Sequence, residues 1–437
     1  MTYAESVRRL LNLLGSAAPR NFGLERIEAL MDRLDHPERA FRVVHVAGTN
    51  GKGSTAAMIE AGLRAAGRST GFYSSPHLSR FNERIRINAA EIDDEGFARA
   101  VAAVLAAAES ALVAGDELHG ATLFECATAS ALWAFREAGV EWGIVEVGLG
   151  GRLDATNVVS AELAVIMPIS FDHERFLGRG AASIAAEKAG ILKPGCRVVV
   201  APQPAGADKA ISRRAAELGV EPISVAERWR AENVQADEEG RFRFDAVSAE
   251  RRVAVRLGLR GEHQVGNALV AVAALDALGL DDDAVAAGLA AVSWPGRLEL
   301  LPRGPRVLLD CAHNPAGART LRDYLERFAA GKRLHLVYGA ARDKAIEETA
   351  GQLTALANTV VLTQSKVSRS VRPATLAALL DHLHPNLEVA DSVAEAVARA
   401  RQAARPEDWI VVAGSIFLVG EARELLLTAA PVLARES

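Results

Sequence analysis

HVAGTNGKGST, residues 45–55, decides the architecture of this chain. An apolar stretch at 41–47 leads into it and reads as a buried strand, and a helix-forming stretch at 55–66 follows at once. Strand, glycine-rich turn and helix start together make an anion trap. Glycines let the backbone approach closely, and the first amides of the helix face the ligand. Gly48, Thr49, Asn50, Gly51 and Gly53 form the turn, Lys52 offers a point charge to distal phosphates, and Ser54 or Thr55 a hydroxyl to magnesium. Gly53 separates Lys52 from Ser54, so the strict G-x-x-x-x-G-K-[ST] pattern is not met. A glycine-rich surface turn would explain the glycines but not the strand and helix flanking them. The stretch predicts nucleoside triphosphate binding on a parallel α/β sheet.

The same alternation continues outward. Strand candidates at 42–47, 69–73, 143–147, 163–169 and 197–201 are separated by helices such as 93–114 and 122–138. That order predicts a mostly parallel sheet with helices on both faces. Residues 241–259 alternate polar and apolar, as half-exposed antiparallel strands do, before 261–278 returns to helix. The Pro-Gly break in SWPGR, 293–297, is the expected boundary. It separates a P-loop ATP-binding domain, 1–295, from a smaller Rossmann-like α/β domain, 296–437, with strands at 307–310, 334–338, 359–363 and 409–413.

Bulk properties narrow the function. A chain of 437 residues exceeds one ordinary core. A net charge of −5 argues against nucleic-acid binding by bulk electrostatics. Cys126, Cys196 and Cys311 are odd in number, far apart and without C-x-x-C spacing, which fits a reducing cytoplasm and excludes a disulfide framework. The opening MTYAESVRRLLNLLGS intersperses charge with apolar residues and reads as neither signal peptide nor membrane span. A cytoplasmic monomer acting on small molecules, with no membrane partner, is expected.

Further residues gather at the ends of the predicted strands, where ligands of open α/β sheets bind. Ser75, in YSSPHL, could serve a metal, although a polar turn stopped by Pro76 explains it equally well. Glu146 lies inside an apolar strand, where an unpaired carboxylate is costly and a magnesium ion or a cationic partner would relieve it. Asp154 follows in GLGGRLDATN. His173, in SFDH, is a candidate metal ligand or phosphate contact, and Lys188 lies on a helix over 181–189. Gln264 and Asn267, three apart at a helix start, present carboxamides suited to an adenine edge. Asp310 and His313, in DCAHNP, face the gap between domains.

In their order, HVAGTNGKGST, YSSPHLSRFNERIRI, TLFECAT, VEVGLGGRLDATN, GEHQVGNA, WPGRLE, DCAHNP and GSIFLVG resemble the folylpolyglutamate synthase/dihydrofolate synthase family of the Mur ligase superfamily. The resemblance runs from about residue 21 to 420 and is nearest to bacterial bifunctional members. It implies an ADP-forming ligase that joins L-glutamate to dihydropteroate and extends reduced folates through an acyl phosphate. On that resemblance the loop and Lys52 hold ATP, with Asn267 at adenine and Arg297 at phosphate. Ser54, Ser75, Glu146 and His173 arrange two Mg²⁺ ions. Lys188 matches a lysine that is carbamylated in the superfamily, Asp310 and His313 guide nucleotide and glutamate, and Thr122, Phe124 and Asp154 form a pterin pocket. Three departures stand out: Cys311 where glycine is frequent, Ala345 where a second carboxylate is frequent, and a basic, hydroxyl-rich segment at 364–373. An extension-only synthase, a ligase for another acid–amino acid pair, a non-enzymatic ATP sensor and a metabolite kinase are the competing readings. The sensor is disfavoured by the presence of Glu146, His173, Lys188 and His313, and the kinase by the second domain.

Overall fold

The computed structural model describes residues 1–13, 23–113, 120–170, 180–301, 305–342 and 344–428. Among them, eight strands form the first sheet: β1 (Arg42–Ala47), β2 (Thr70–Tyr73), β3 (Ile85–Ile87), β4 (Ala90–Glu91), β5 (Trp142–Glu146), β6 (Leu163–Ile166), β7 (Arg197–Val200) and β8 (Pro222–Ser224). Their spatial order is β4-β3-β2-β5-β1-β6-β7-β8. From β2 to β8 every pairing is parallel, and β3 and β4 add an antiparallel edge. Strands β5, β1 and β6 are buried along almost their whole length, so they read as unbroken apolar runs rather than as alternation. Register sets Val46 beside both Glu146 and Val165, which brings the carboxyl ends of these three strands level.

The helix after β1 spans Lys52–Ala65. It begins three residues before the sequence-based expectation, so Gly53 and Ser54 belong to its first turn. From Ser54 to Leu63 it is buried on every side, because helices His263–Ala277 and Asp282–Ala291 cover the face turned away from the sheet. A three-stranded antiparallel sheet, β9 (Arg230–Ala236), β10 (Arg241–Val247) and β11 (Arg252–Arg260), shares this core. In β11 the residues alternate exposed and buried, matching the expected pattern, but β9 was not foreseen.

A six-stranded sheet follows: β12 (Glu299–Leu301), β13 (Arg306–Leu309), β14 (Leu334–Tyr338), β15 (Thr359–Leu362), β16 (Leu387–Val389) and β17 (Trp409–Ala413), in the order β12-β13-β17-β14-β15-β16. All its pairings are parallel except β12 with β13. Apolar clusters cover both faces. Two α/β units, the first built on a phosphate loop, are the architecture the sequence implied. No described helix is long and apolar enough to cross a membrane.

Helices Lys52–Ala65 and Asp282–Ala291 touch through two glycines. A Cβ built on Gly288 would lie 2.4 Å from the Gly62 nitrogen, an atom that cannot swing aside. Gly288→Ala is therefore expected to part the helices and lower stability by about 1–3 kcal/mol, as overpacking does. A urea unfolding midpoint checks this, and an unchanged midpoint would show that the close approach carries no energetic weight.

Candidate active site

The carboxyl ends of β1, β5 and β6 face those of β13, β14 and β17 across a cavity of about 730 Å³. That is within the range of roughly 300–1,000 Å³ typical of ligand pockets. The loop Gly48–Gly51 forms its floor. Gly48 has φ 147° and Gly51 φ 84°, and a Cβ on Gly48 would fall 2.4 Å from the Met167 Cβ, so glycine is required there. The Thr49 amide donates to Pro168 O (3.0 Å), and its hydroxyl donates to Ser170 O (3.1 Å). Asn50 Nδ2 reaches Ser170 Oγ (3.3 Å), and Lys52 Nζ donates to Thr49 O (3.2 Å). Gly53, the residue that breaks the strict motif, has its own reason. A Cβ there would meet the Trp294 indole at 3.0 Å, and that ring belongs to the segment joining the two units.

Buried Lys188 donates from Nζ to Gly48 O at 2.8 Å. Asn267 lies against Gly51, whose Cβ would come 2.5 Å from Asn267 Oδ1. Gln264 is fully buried and bonds Ser54 Oγ (3.3 Å) and Asn267 (2.9 Å); it braces the loop and is not turned to the cavity.

Glu146 is buried at the end of β5, on the cavity wall with Ser54 and Ser75. Burial raises its carboxyl above the usual range, opposed by the charges of Lys52 and Arg297 and by the Ser75 amide. No group of three or more His, Cys, Asp or Glu side chains capable of holding a metal occurs among the described residues. One buried carboxylate with two hydroxyls is nonetheless a donor set that suits Mg²⁺, which takes few protein oxygens and completes its shell with phosphate and water. His173 lies outside the described residues.

On a second wall, the Phe124 ring crowds Gly148, whose Cβ would lie 2.4 Å from Phe124 Cζ. Asp154 is buried there with its carboxyl raised by burial, and it accepts from the Leu149 amide (2.8 Å), the Thr156 amide (3.0 Å) and the Thr156 hydroxyl. His45, at the centre of β1, bonds Thr156 Oγ1 (2.9 Å), and burial drops its pKa to about 3, leaving it neutral. Thr122 does not join this wall. It caps helix Leu123–Glu137 in a reciprocal capping box with Glu125, while its neighbours Leu123 and Phe124 line the cavity.

Across the cleft, the two oxygens of Asp310 accept from the Leu298 amide (2.8 Å) and the Ala312 amide (2.9 Å). They fasten the inter-domain segment to the turn that carries His313. His313 Nδ1–H donates to Cys311 O at 2.8 Å, which puts the proton of the neutral ring on Nδ1. Asn314 caps the helix Pro315–Phe328 and reaches Asn50 Oδ1 at 3.4 Å, so the second unit touches the phosphate loop itself. Arg297 lines the cavity and acts electrostatically on both Glu146 and Asp310. Burial and the surrounding carboxylates push the Cys311 thiol up to about 12. Arg84, Lys344, Arg369 and Ser415 also line the cavity and were not singled out from sequence. Arg84 is buried, an unusual place for an arginine, and its Nε donates to His77 Nδ1 (2.9 Å).

A phosphate loop roofed by a second parallel sheet, with a buried carboxylate at the seam, defines a two-domain nucleotide-dependent ligase. Comparison with known proteins agrees: residues 46–275 match the Mur ligase middle domain and 296–416 the Mur ligase glutamate ligase domain. The chain is 36% identical to the dihydrofolate synthase/folylpolyglutamate synthase of Escherichia coli, over 93% of this chain and 92% of that one. It is also 36% identical to a probable bifunctional folylpolyglutamate synthase/dihydropteroate synthase of Haloferax volcanii, but spans half the length of that relative. The E. coli FolC structure in complex with DHPP and ADP superposes with a TM-score of 0.88 at 33% identity, covering 99% of both chains. The chain belongs to the folylpolyglutamate synthase/dihydrofolate synthase family of ADP-forming Mur ligases.

Because Glu146 holds its proton more tightly in the folded chain than in the unfolded one, stability falls as pH rises from the ordinary glutamate range through its folded pKa. Above that pKa the full cost is present. Glu146→Gln removes it, so metal- and nucleotide-free Glu146→Gln is expected to melt above the wild type at pH 8. The gap should close below about pH 4, where both forms are neutral. The same variant should lose protection by Mg-ATP. A lower melting temperature than wild type at pH 8 would mean that the Lys52 and Arg297 attractions outweigh desolvation.

Proposed function

We propose that this chain joins L-glutamate to dihydropteroate and extends reduced folates with γ-linked glutamates, consuming ATP and releasing ADP and phosphate. The observation that carries this reading is the continuity of one cavity, from the phosphate loop to the Phe124–Asp154 wall and on to the His313 turn. A nucleotide, an aromatic acid and an amino acid can meet in it. A carboxylate is a poor electrophile, so its oxygen first attacks the γ-phosphorus of ATP and ADP leaves with the bridging oxygen. The glutamate amine then attacks the carbonyl carbon of the acyl phosphate. The C–N bond forms, phosphate departs with the C–O electron pair, and the amine loses its proton.

Gly48–Gly51 and Lys52 would hold the phosphates during transfer. Ser54, Ser75 and Glu146 would hold Mg²⁺, and His173 is added to that set by the family resemblance alone; bound metal supplies charge neutralisation for in-line phosphoryl transfer. Two such sites, and carbamylation of Lys188, rest on the family resemblance. Intact mass of the native protein tests the latter, as a gain of one CO₂. His313 Nε2 would receive the proton of the incoming amine, and Asp310 would keep that imidazole in place through the turn. Asn267 and Arg297 would fix nucleotide and phosphate, and Phe124 would stack on the pterin. A narrower reading on the same scaffold is an extension-only synthase, which would share the Phe124–Asp154 wall, since both acceptors carry a pterin, and would differ in refusing dihydropteroate.

Incubation with Mg-ATP, L-glutamate and either dihydropteroate or tetrahydrofolate decides between them by product mass. One added glutamate on both acceptors, with matching ADP, is the expected result. Gain on tetrahydrofolate alone would establish the narrower reading, and gain on neither would overturn both. Lys52→Ala is expected to lower kcat/KM by roughly a hundredfold or more, the scale of losing one charged transition-state contact.

A further inference from the structure

Three side chains form a buried polar chain from the middle of the first sheet to the Phe124–Asp154 wall. Thr156 has a single hydroxyl hydrogen, and it goes to Asp154 Oδ1. His45 is therefore the donor in its 2.9 Å contact with Thr156 Oγ1, with its proton on Nε2. Its Nδ1 is left bare, buried and without a hydrogen-bond partner among the described residues. Such an unmet polar atom in the core is destabilising, and an apolar side chain at this place on β1 would avoid it. The loop that carries Thr156 has other fastenings. Lys193 Nζ donates to Asn157 O (2.7 Å) and Val159 O (2.6 Å), and Asn157 Nδ2 donates to Arg152 O (3.0 Å) and Gly190 O (3.2 Å). What the histidine adds is a grip on the Thr156 hydroxyl, and through it on Asp154.

The geometry points to His45 and Thr156 as positioning residues for the pterin of the acceptor, acting through Asp154, a role that rests on the ligase reading above. Thr156 fills Asp154 Oδ1 with both its amide and its hydroxyl, which fixes the plane of the carboxylate. Oδ2 is thereby turned to the Leu149 amide, at 2.8 Å, on the side where Gly148, Leu149 and Asp154 line the cavity beside the Phe124 ring. A flat ring meets there a wall whose polar edge is already aimed, because each member is locked by the next. Three residues past His45 the chain enters the phosphate loop at Gly48, so the same relay sets the wall in register with the nucleotide site.

Thr156→Val keeps the shape and removes the hydroxyl, Thr156→Ser keeps the hydroxyl, and His45→Leu removes the ring donor. Each is to be compared with wild type for KM and kcat on dihydropteroate and on tetrahydrofolate, with Mg-ATP and L-glutamate. Thr156→Val is expected to raise KM for both acceptors roughly tenfold, the scale of one hydrogen bond to a charged group, with kcat and the ATP KM kept within about twofold. Thr156→Ser should restore most of the loss. His45→Leu should move the acceptor KM the same way by less, and adding it to Thr156→Val should change nothing further, because both act along one path. An ATP KM that rises in step with the acceptor KM, or no rise on either acceptor, would overturn the proposal. So would a rise on one acceptor alone, since the wall meets the part the two share. Where Thr156→Val does not fold, the same readings on His45→Leu decide. Calorimetry with dihydropteroate in the presence of ADP separates this role from the reading beneath it. No binding by wild type overturns both, equal binding by wild type and variants overturns the role alone, and binding that either variant weakens upholds it.

Discussion

Anchors from several separate elements hold the backbone of Gly48–Gly51 still. Thr49 and Asn50 are tied to the strand-end loop at Pro168 and Ser170, and Gly48 O is held by Lys188. Asn267 closes on Gly51, Trp294 on Gly53, and Asn314 reaches in from the second unit. An anion site made of backbone amides works only if those amides already point inward, because reorienting them on binding would consume the interaction energy. The glycines that permit the loop's shape would leave it floppy alone. Long-range anchors from separate elements remove that freedom, which is why a stretch of a few residues recruits contacts from much of the chain.

The electrostatics of the site follow from the same crowding. Glu146 lies buried on the cavity wall beside Ser54 and Ser75, and that burial disfavours its charged form. Lys52 and Arg297 temper the cost without abolishing it. Ionising Glu146 is therefore costly in the unliganded protein, a cost that the proposed metal would relieve. Cys311, beside Arg297, would gain reactivity from a nearby cation in an open site, but burial keeps it a thiol pushed up to about 12. It fills the space near Gly296 as a small apolar side chain would.

The parallel core was legible because buried strands and amphipathic helices leave separate patterns, and β1, β14 and β17 were delimited from sequence to the residue. Short edge strands such as β3, β4, β12 and β16 carry too few residues to form a pattern and exist only because a neighbour pairs with them. In the site, strand-end residues such as Glu146 and Asp310 were legible by position. What they bond was not. The turn chemistry around Asp310, the capping box at Thr122 and the bracing role of Gln264 depend on partners distant in sequence. Arg369 was legible only as part of the basic segment at 364–373: an arginine in such a loop looks like any solvated one until the fold supplies Phe417 beneath it.

The contact of Trp294 with Gly53 gives the connecting segment a second kind of inheritance. Its indole also receives the Arg86 guanidinium at 4.7 Å and meets Phe72 edge-on. Although Trp294 lies at the junction, it is furniture of the first unit. In a chimaera that exchanged the second unit between relatives, a splice after Trp294 would leave the packing behind Gly53 wholly within the first unit. A graft cut before it would keep that packing where the incoming segment carries the same tryptophan, and a segment without it would disturb the nucleotide site from behind.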